Sequence, residues 1–346
     1  METPAPIVDV AVLGAGIAGL TAAYRLSQAG KSVLVLEGRD RVGGRTLEGR
    51  LLDRSFDLGG QWVGPGQNRI LALLKELELE TFPQYLRGDS LLELQGRIIK
   101  YSGVIPRLSL FTLLALDRTM KRVNRMAAKI DPARPWDAQD ARELDLVSVE
   151  GWLRSHVSST RVRVLVRMLV RAVLSAEPSE VSMQFFLTYV RSAGSLETLT
   201  DVDGAAQQDR IVGGAFQIAR RLAGRVGLDR VLLNTPARRI EQSETGVRIL
   251  SAGGRVIEAR FVVLAMSPNL TLKIDFAPER PPLYDSLARR MPMGSVTKAL
   301  IAYAAPFWRA KGFSGLVASD RGPFGPVFDA GLPDDDRGYL VGFLEG

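Results

Sequence analysis

Apolar residues 10–13 run into three glycines, Gly14, Gly16 and Gly19, and then into residues 20–29, where apolar positions recur at helical spacing. That order predicts a strand, a tight turn and a helix. A second apolar stretch over 32–36 predicts another strand, which ends in Glu37. Further on, Ile70, Leu73, Leu74 and Leu77 share one helical face, and residues 81–106 predict short strands with turns at Gly88, Gly96 and Gly103. From Leu108 the pattern is helical, with Leu116, Met120, Val123, Ala127 and Ile130 on one face until Pro132 and Pro135 end it. Residues 131–145 predict a charged loop, and Val149, Trp152 and Leu153 begin a second helical block. In its next helix Val162, Leu165, Val166 and Leu169 form the apolar face, while Arg163, Arg167 and Arg171 predict a solvated basic face. Strands are expected at 231–233, 237–240, 247–250 and 256–258, with a turn at Gly253 and Gly254. The uninterrupted apolar run 261–266 predicts a sheet strand covered on both faces. Residues 293–307 alternate in their central part, so Val296, Lys298, Leu300 and Ala302 share a strand face.

The spacing of the first three glycines has physical reasons. Gly14 permits the turn, Gly16 lets a diphosphate approach the backbone, and Gly19 lets the helix pack close to the strand. The N–H groups at the helix start then face the anion. Glu37, about 20 residues further on, stands where an acid accepts hydrogen bonds from a ribose hydroxyl. The ligand should therefore carry adenosine and a diphosphate. Arg39, Arg41 and Arg45 surround Gly43 and Gly44, which places cationic forks and a close-approach backbone beside the same diphosphate. On these residues NAD and FAD fit equally.

Composition narrows the chemistry by exclusion. The 346 residues suffice for two domains and a sizeable core, and 34 glycines suit a backbone that passes close to a large ligand. The net charge of +7 is spread along the chain, mostly as arginine, which argues against nucleic acid and leaves a weak attraction to acidic surfaces. The absence of cysteine excludes disulfides, cysteine metal sites and thiol attachment of a cofactor within the chain. The single histidine, His156, builds neither a metal site nor a catalytic triad, and its place at a helix end predicts a solvated ring. The first nine residues lack the basic and apolar regions of an export signal, and the longest apolar stretch, 108–116, is too short to span a bilayer. A soluble cytoplasmic protein is expected.

With EGRDRVGGR at 37–45, GGQWVGPGQNR at 59–69, QQDRIVGG at 207–214, and GSVTK at 294–298 followed by PFWR, the chain resembles the flavin-containing amine oxidases of the monoamine oxidase and putrescine oxidase type. The resemblance implies FAD as cofactor, contacted at Gly14, Gly16, Gly19, Glu37, Arg39, Gly43, Gly44 and Arg45. It also implies flavin-side contacts at Gly59, Gly60, Gln61 and Trp62 and a backbone contact near adenine at Ala237. Trp62 and Val63 stand where amino acid oxidases carry a carboxylate-binding arginine, which favours an amine. Residues 171–194 resemble the family's helical substrate region, with Ser179 as N-cap and Phe185, Phe186 and Tyr189 as packing residues. Ala172, Val173, Leu199, Thr200 and Gln207 fall where the family lines its amine pocket. Gly213 and Gly214 sit at the mouth of a further helix; on local grounds they read equally as turn glycines. A lysine on an apolar strand face must snorkel, pair or serve a function. The resemblance implies the last for Lys298, as the catalytic lysine that reaches the reactive flavin nitrogen through a water.

The expected fold is α/β. An FAD-binding Rossmann-like domain of the glutathione reductase type (1–76 and 208–284) is interrupted by an α+β substrate-binding domain (77–207 and 285–346). The expected reaction is oxidation of a primary amine to aldehyde, ammonia and hydrogen peroxide, with dioxygen as acceptor and no metal. The alternatives are a polyamine oxidase, an L-amino acid oxidase, a desaturase of the same superfamily, or an inactive fragment. The resemblance implies that family members continue for about a third of their length beyond residue 346, so a homodimer or a complementing C-terminal chain is the expected partner.

Overall fold

The structure is a computed structural model that describes residues 7–103 and 105–345. It divides into two units, Met1–Gln61, Ala72–Glu80 and Ile211–Met293 in one, and Trp62–Leu71, Thr81–Arg210 and Gly294–Gly346 in the other.

In the first unit, β1 (Val8–Leu13) is apolar on both faces from Val10 onward, and Ala11, Val12 and Leu13 are at most 1% exposed. A strand of that composition belongs inside a parallel sheet. It pairs in parallel with β2 (Val33–Leu36), Leu13 opposite Leu36, and with the strand Val256–Leu264, Leu13 opposite Leu264. The crossover that parallel pairing requires is α1 (Ile17–Gln28). The seven-stranded sheet runs Val231–Leu232, β2, β1, Val256–Leu264, Gly246–Ser251, Ala237–Ser243, Asp275–Ala277. Its first four strands are parallel, Gly246–Ser251 runs antiparallel to both its neighbours, and Ala237–Ser243 and Asp275–Ala277 run in the direction of the first four. Leu13, Leu36, Ile240, Ile249, Ile257 and Ile274 fill its core, each worth about 1.5–3 kcal/mol when fully buried. Two expected strands, 256–258 and 261–266, belong to one strand, Val256–Leu264, because its pairing with Gly246–Ser251 over 256–259 passes at Ala259 into its pairing with β1 over 259–264. The same run is not covered on both faces: Phe261 is 68% exposed. The helix Phe216–Val226 packs beside α1, and its N-terminus is capped from a distance, Asp57 accepting from Ala215 N at 3.0 Å and Phe216 N at 3.4 Å. Gly213 and Gly214, both at positive φ, make the turn into this helix.

The second unit has a six-stranded sheet in the order Val296–Tyr303, Gly338–Glu345, Pro326–Asp329, Phe313–Ser319, Asp89–Leu94, Arg97–Tyr101. Its helices Leu110–Ala127, Val149–His156, Thr160–Leu174 and Met183–Ala193 share a core built on Val123, Trp152, Val166, Phe186 and Leu187. Serines cap these helices: Ser109, Ser148, Ser159 and Ser182 each accept from the backbone amide three residues on. The cap of Met183–Ala193 is thus Ser182 and not Ser179. Ser182 has the extended backbone that a cap needs, whereas residues 177–180 are closed into a turn by Glu180 N donating to Glu177 O. Phe186 packs as expected, but Phe185 and Tyr189 stack on each other on the exposed side. The expected loop 131–145 contains the short helix Ala141–Asp145. His156 is exposed and stacks on Trp152. Of the arginine row, Arg167 and Arg171 are paired with acids rather than simply solvated, and Arg163 donates to Val157 O and Thr160 Oγ1. Arg167 binds Glu150 through Nε at 2.8 Å and Nη2 at 2.7 Å, and Arg171 binds Glu177. No helix among the described residues is long and apolar enough to cross a membrane.

Hydrogen bonding from Arg167, opposed by burial and reinforced by Arg154, lowers Glu150 from 4.5 to about 2. Its contribution is therefore present above the unfolded value and lost as pH falls through the folded one. Glu150→Gln should cost roughly 1–3 kcal/mol near neutrality, read as a lower melting temperature, and the gap to wild type should narrow below about pH 4.5. A gap that stays constant down to about pH 3 would assign the loss to packing instead.

Candidate active site

The loop between β1 and α1 turns so tightly that only some of its glycines are explained by the chain itself. A Cβ on Gly19 would lie 1.9 Å from Gly14 O, and one on Gly14 would lie 2.6 Å from Ala265 O. These two serve helix-on-strand packing. Gly16 differs: it has φ −75°, and a Cβ there would meet nothing nearer than Gly44 Cα at 3.9 Å. Nothing in the fold forbids a side chain at Gly16, so its absence leaves backbone open to a ligand. Gly16 is also the N-cap of α1, no side chain caps it, and the first turn holds no acid. The orphan amides of that turn are left for an anion.

Residues 43–44 run alongside this turn. Gly43 N donates to Ala15 O at 2.8 Å, and Gly43 bridges to Gly16. Arg41 spends its guanidinium inside the loop, on Val42 O and Gly44 O at 3.1 Å each. Arg39 and Arg45 are exposed, and among the described residues neither pairs with a carboxylate. Glu37 is buried and accepts from Ala15 N at 2.7 Å and from Arg39 N at 3.0 Å. Those bonds fix its two oxygens at the rim of the turn while lone pairs remain for a hydroxyl donor. In the pair Gly59 and Gly60, a Cβ on Gly59 would meet Arg45 O at 2.0 Å, while Gly60 is exposed with nothing within 4 Å. Gln61 beside it is buried, and Ala237 opens a sheet strand opposite Ser251.

A second constellation lies in the other unit. Lys298 is half-buried on its strand, directly opposite Phe343, with Nζ 5.3 Å from the Phe343 ring centroid. The Trp62 ring lies 5.8 Å from Phe343 and 4.9 Å from Phe328, edge-on to the latter. Phe328 and Phe343 carried no signal in the sequence beyond an aromatic in an apolar strand; strand register alone sets them against Trp62 and Lys298. Glu345, two residues on from Phe343, is pushed up to about 7 by burial, which the Arg171 charge partly offsets. Gln207 donates from Nε2 to Leu199 O at 3.1 Å, and its buried Oε1 has no partner among the described residues. Thr200 turns its hydroxyl back to Leu196 O. Ala172 and Val173 occupy the last turn of Thr160–Leu174; Ala172 is exposed, and Val173 packs against the helical core. Ser295 N donates to Ser175 O at 2.7 Å, which ties the start of the Lys298 strand to the end of that helix. Among the described residues no group of acids or histidine could hold a metal.

A family model described as flavin containing amine oxidoreductase matches residues 17–339. A Mycobacterium tuberculosis protein named as a flavin-containing monoamine oxidase, AofH, is 44% identical over 345 residues, covering 100% of this chain and 76% of its own length. The flavin-containing amine oxidase B of Sus scrofa is 34% identical over 97% of this chain and 65% of its own. Among solved structures, putrescine oxidase with putrescine bound superposes with a TM-score of 0.94 at 35% identity, covering 99% of this chain and 76% of that one. Cyclohexylamine oxidase from Brevibacterium oxydans superposes with a TM-score of 0.94 at 33% identity. The residues present fit the family's cofactor, FAD. The backbone is bare at Gly16 and Gly60, where the fold itself does not require it, and the start of α1 at Gly16 has no side-chain cap. The match runs across both units and nearly the whole chain, so the protein belongs to the flavin-containing amine oxidoreductase family.

Proposed function

We propose that the protein oxidises a primary amine to an aldehyde, with release of ammonia and hydrogen peroxide. When bound, FAD supplies the redox chemistry, taking two electrons and the α hydrogen of the amine and giving the electrons to dioxygen, while water hydrolyses the resulting imine. The observation that carries an amine reading is Gln207. Its Nε2 is committed to Leu199 O, so the buried and unpartnered end is the acceptor oxygen, which suits an N–H donor. An unsatisfied buried acceptor costs about 1–3 kcal/mol, a cost that a bound amine would remove.

In this reading the amides at the start of α1 hold the diphosphate with Arg39 and Arg45, and Gly14, Gly19, Gly43 and Gly44 shape that cradle. Glu37 holds a ribose, and the backbone at Ala237 lies at the adenine end. Gly59, Gly60, Gln61 and Trp62 line the flavin. Ala172, Val173, Leu199 and Thr200 set the volume offered to the substrate. Lys298, half-buried beside Phe343, holds a water and moves a proton during reoxidation. The two units serve as FAD-binding and substrate-binding domains, and a second copy or a complementing C-terminal chain is the expected partner. The cytoplasm is the proposed location. The absence of arginine at Trp62 and Val63 weighs against an amino acid substrate, whose carboxylate would need a cation.

Peroxide release screened over monoamines, diamines, polyamines and amino acids should be positive for a primary amine; activity confined to amino acids would sink the proposal. Lys298→Met in the FAD-loaded protein should slow reoxidation by dioxygen on the order of 10²-fold, and unchanged reoxidation would remove Lys298 from the active site. Gly16→Ala should leave the melting temperature of the FAD-free chain nearly unchanged and reduce flavin content after purification. Full flavin content in that variant would show that nothing passes over this backbone.

A further inference from the structure

Trp62 is tied down by an arrangement that the family signature does not explain. Its indole N–H, the single donor of the ring, is 2.9 Å from Gln84 Oε1. Gln84 is 5% exposed, donates from Nε2 to Asp329 O at 2.6 Å, and is fixed through its own backbone N–H, which donates to Gln208 O at 2.8 Å. Because Nε2 must face a carbonyl, the amide has one orientation, and that orientation presents Oε1 to the indole.

Asp329, in turn, is immobile. It is 1% exposed, and its carboxylate accepts from Trp308 Nε1 at 2.9 Å, from Arg309 Nε and Nη2 at 2.7 Å each, and from Gly331 N at 2.7 Å. The Arg309 guanidinium also covers the ring of Tyr85, the neighbour of Gln84, at 4.0 Å. The circuit closes through Gly331 O, which accepts from Arg210 Nη1 at 2.8 Å, and Arg210 stands directly opposite Trp62 in the strand pair. Trp62 is therefore held from its N–H end and from its backbone by groups that are themselves buried and bonded.

We infer that Gln84 is a positioning residue, which orients Trp62 through Asp329 so that the indole presents its carbon faces, and not its N–H, toward Phe343 and the Lys298 strand. The inference rests on the reading that Trp62 borders the flavin and the amine. It also assigns Trp308 and Arg309 of the PFWR segment a role as anchors of Asp329. Its consequence for specificity is that this wall offers the substrate an apolar surface without a hydrogen-bond donor.

The test uses the full chain with isotope-labelled tryptophan. Gln84→Met keeps the length and removes the hydrogen bonds to Trp62 and to Asp329 O, and Trp62→Phe identifies the Trp62 indole N–H resonance by its loss. Gln84→Met should move that resonance and leave those of Trp136 and Trp152 in place. In the FAD-loaded protein it should raise the KM for the amine about 5- to 10-fold with kcat changed less than about 2-fold. On a Trp62→Phe background, Gln84→Met should add almost nothing, since the two act through one contact. An unmoved Trp62 resonance, or effects on KM that simply multiply, would overturn the positioning role. A resonance that moves while KM and the flavin spectrum stay unchanged would instead overturn the placement of Trp62 at the site, and with it the reading on which the inference rests.

Discussion

The first unit depends on one close contact, Gly19 against Gly14. A methyl group on Gly19 would come within 1.9 Å of a carbonyl oxygen, so α1 packs on β1 at a distance that other residues do not allow. That contact aims the start of α1 at the loop 43–44 and leaves its amides uncapped. Glu37, at the end of β2, reaches the same turn because β1 and β2 are in parallel register, Leu13 opposite Leu36. The cradle is thus a by-product of strand pairing and helix packing, and the open backbone at Gly16 is the feature left over for a ligand.

The second unit is organised around a buried ion pair instead. Asp329 and Arg309 meet through two bonds of 2.7 Å, with the carboxylate fully covered. A buried pair of this kind is weak evidence for net stability, because both charges lose hydration. Its value is geometric: each lone pair of Asp329 has an assigned donor, so the strand Pro326–Asp329 and the turn after it have one arrangement. Phe328 is carried on the same strand, and the strand beside it carries Phe343 opposite Lys298. The aromatic surface near Lys298 inherits its order from this network.

Much of the architecture was legible in the sequence because its signals are local. Apolar periodicity marked the helices Asn68–Glu76, Val149–His156 and Thr160–Leu174, and turn glycines separated the strands Asp89–Leu94 and Arg97–Tyr101. Local signals also misled. Ser179 and Ser182 are both serines before a helical run, and the choice between them follows from backbone conformation. The arginines of Thr160–Leu174 look solvated by spacing, yet Arg167 meets Glu150, which another helix supplies. Residues 256–258 and 261–266 look like two strands because charged residues interrupt the pattern, while pairing first with Gly246–Ser251 and then with β1 makes one strand of Val256–Leu264.

The sequence by itself determined the glycine turn, the acid at the end of β2 and the family. These depend on residues close together in the chain, whose spacing is constrained by backbone sterics. Only the tertiary structure decided which glycines the fold requires and which it leaves open. It also decided that Arg41 serves its own loop, that Asp57 caps a helix far along the chain, and that Phe328, Phe343 and Gln84 gather at Trp62. Those facts rest on strand register and on side chains brought together over long separations, and neither leaves a periodic trace in the sequence.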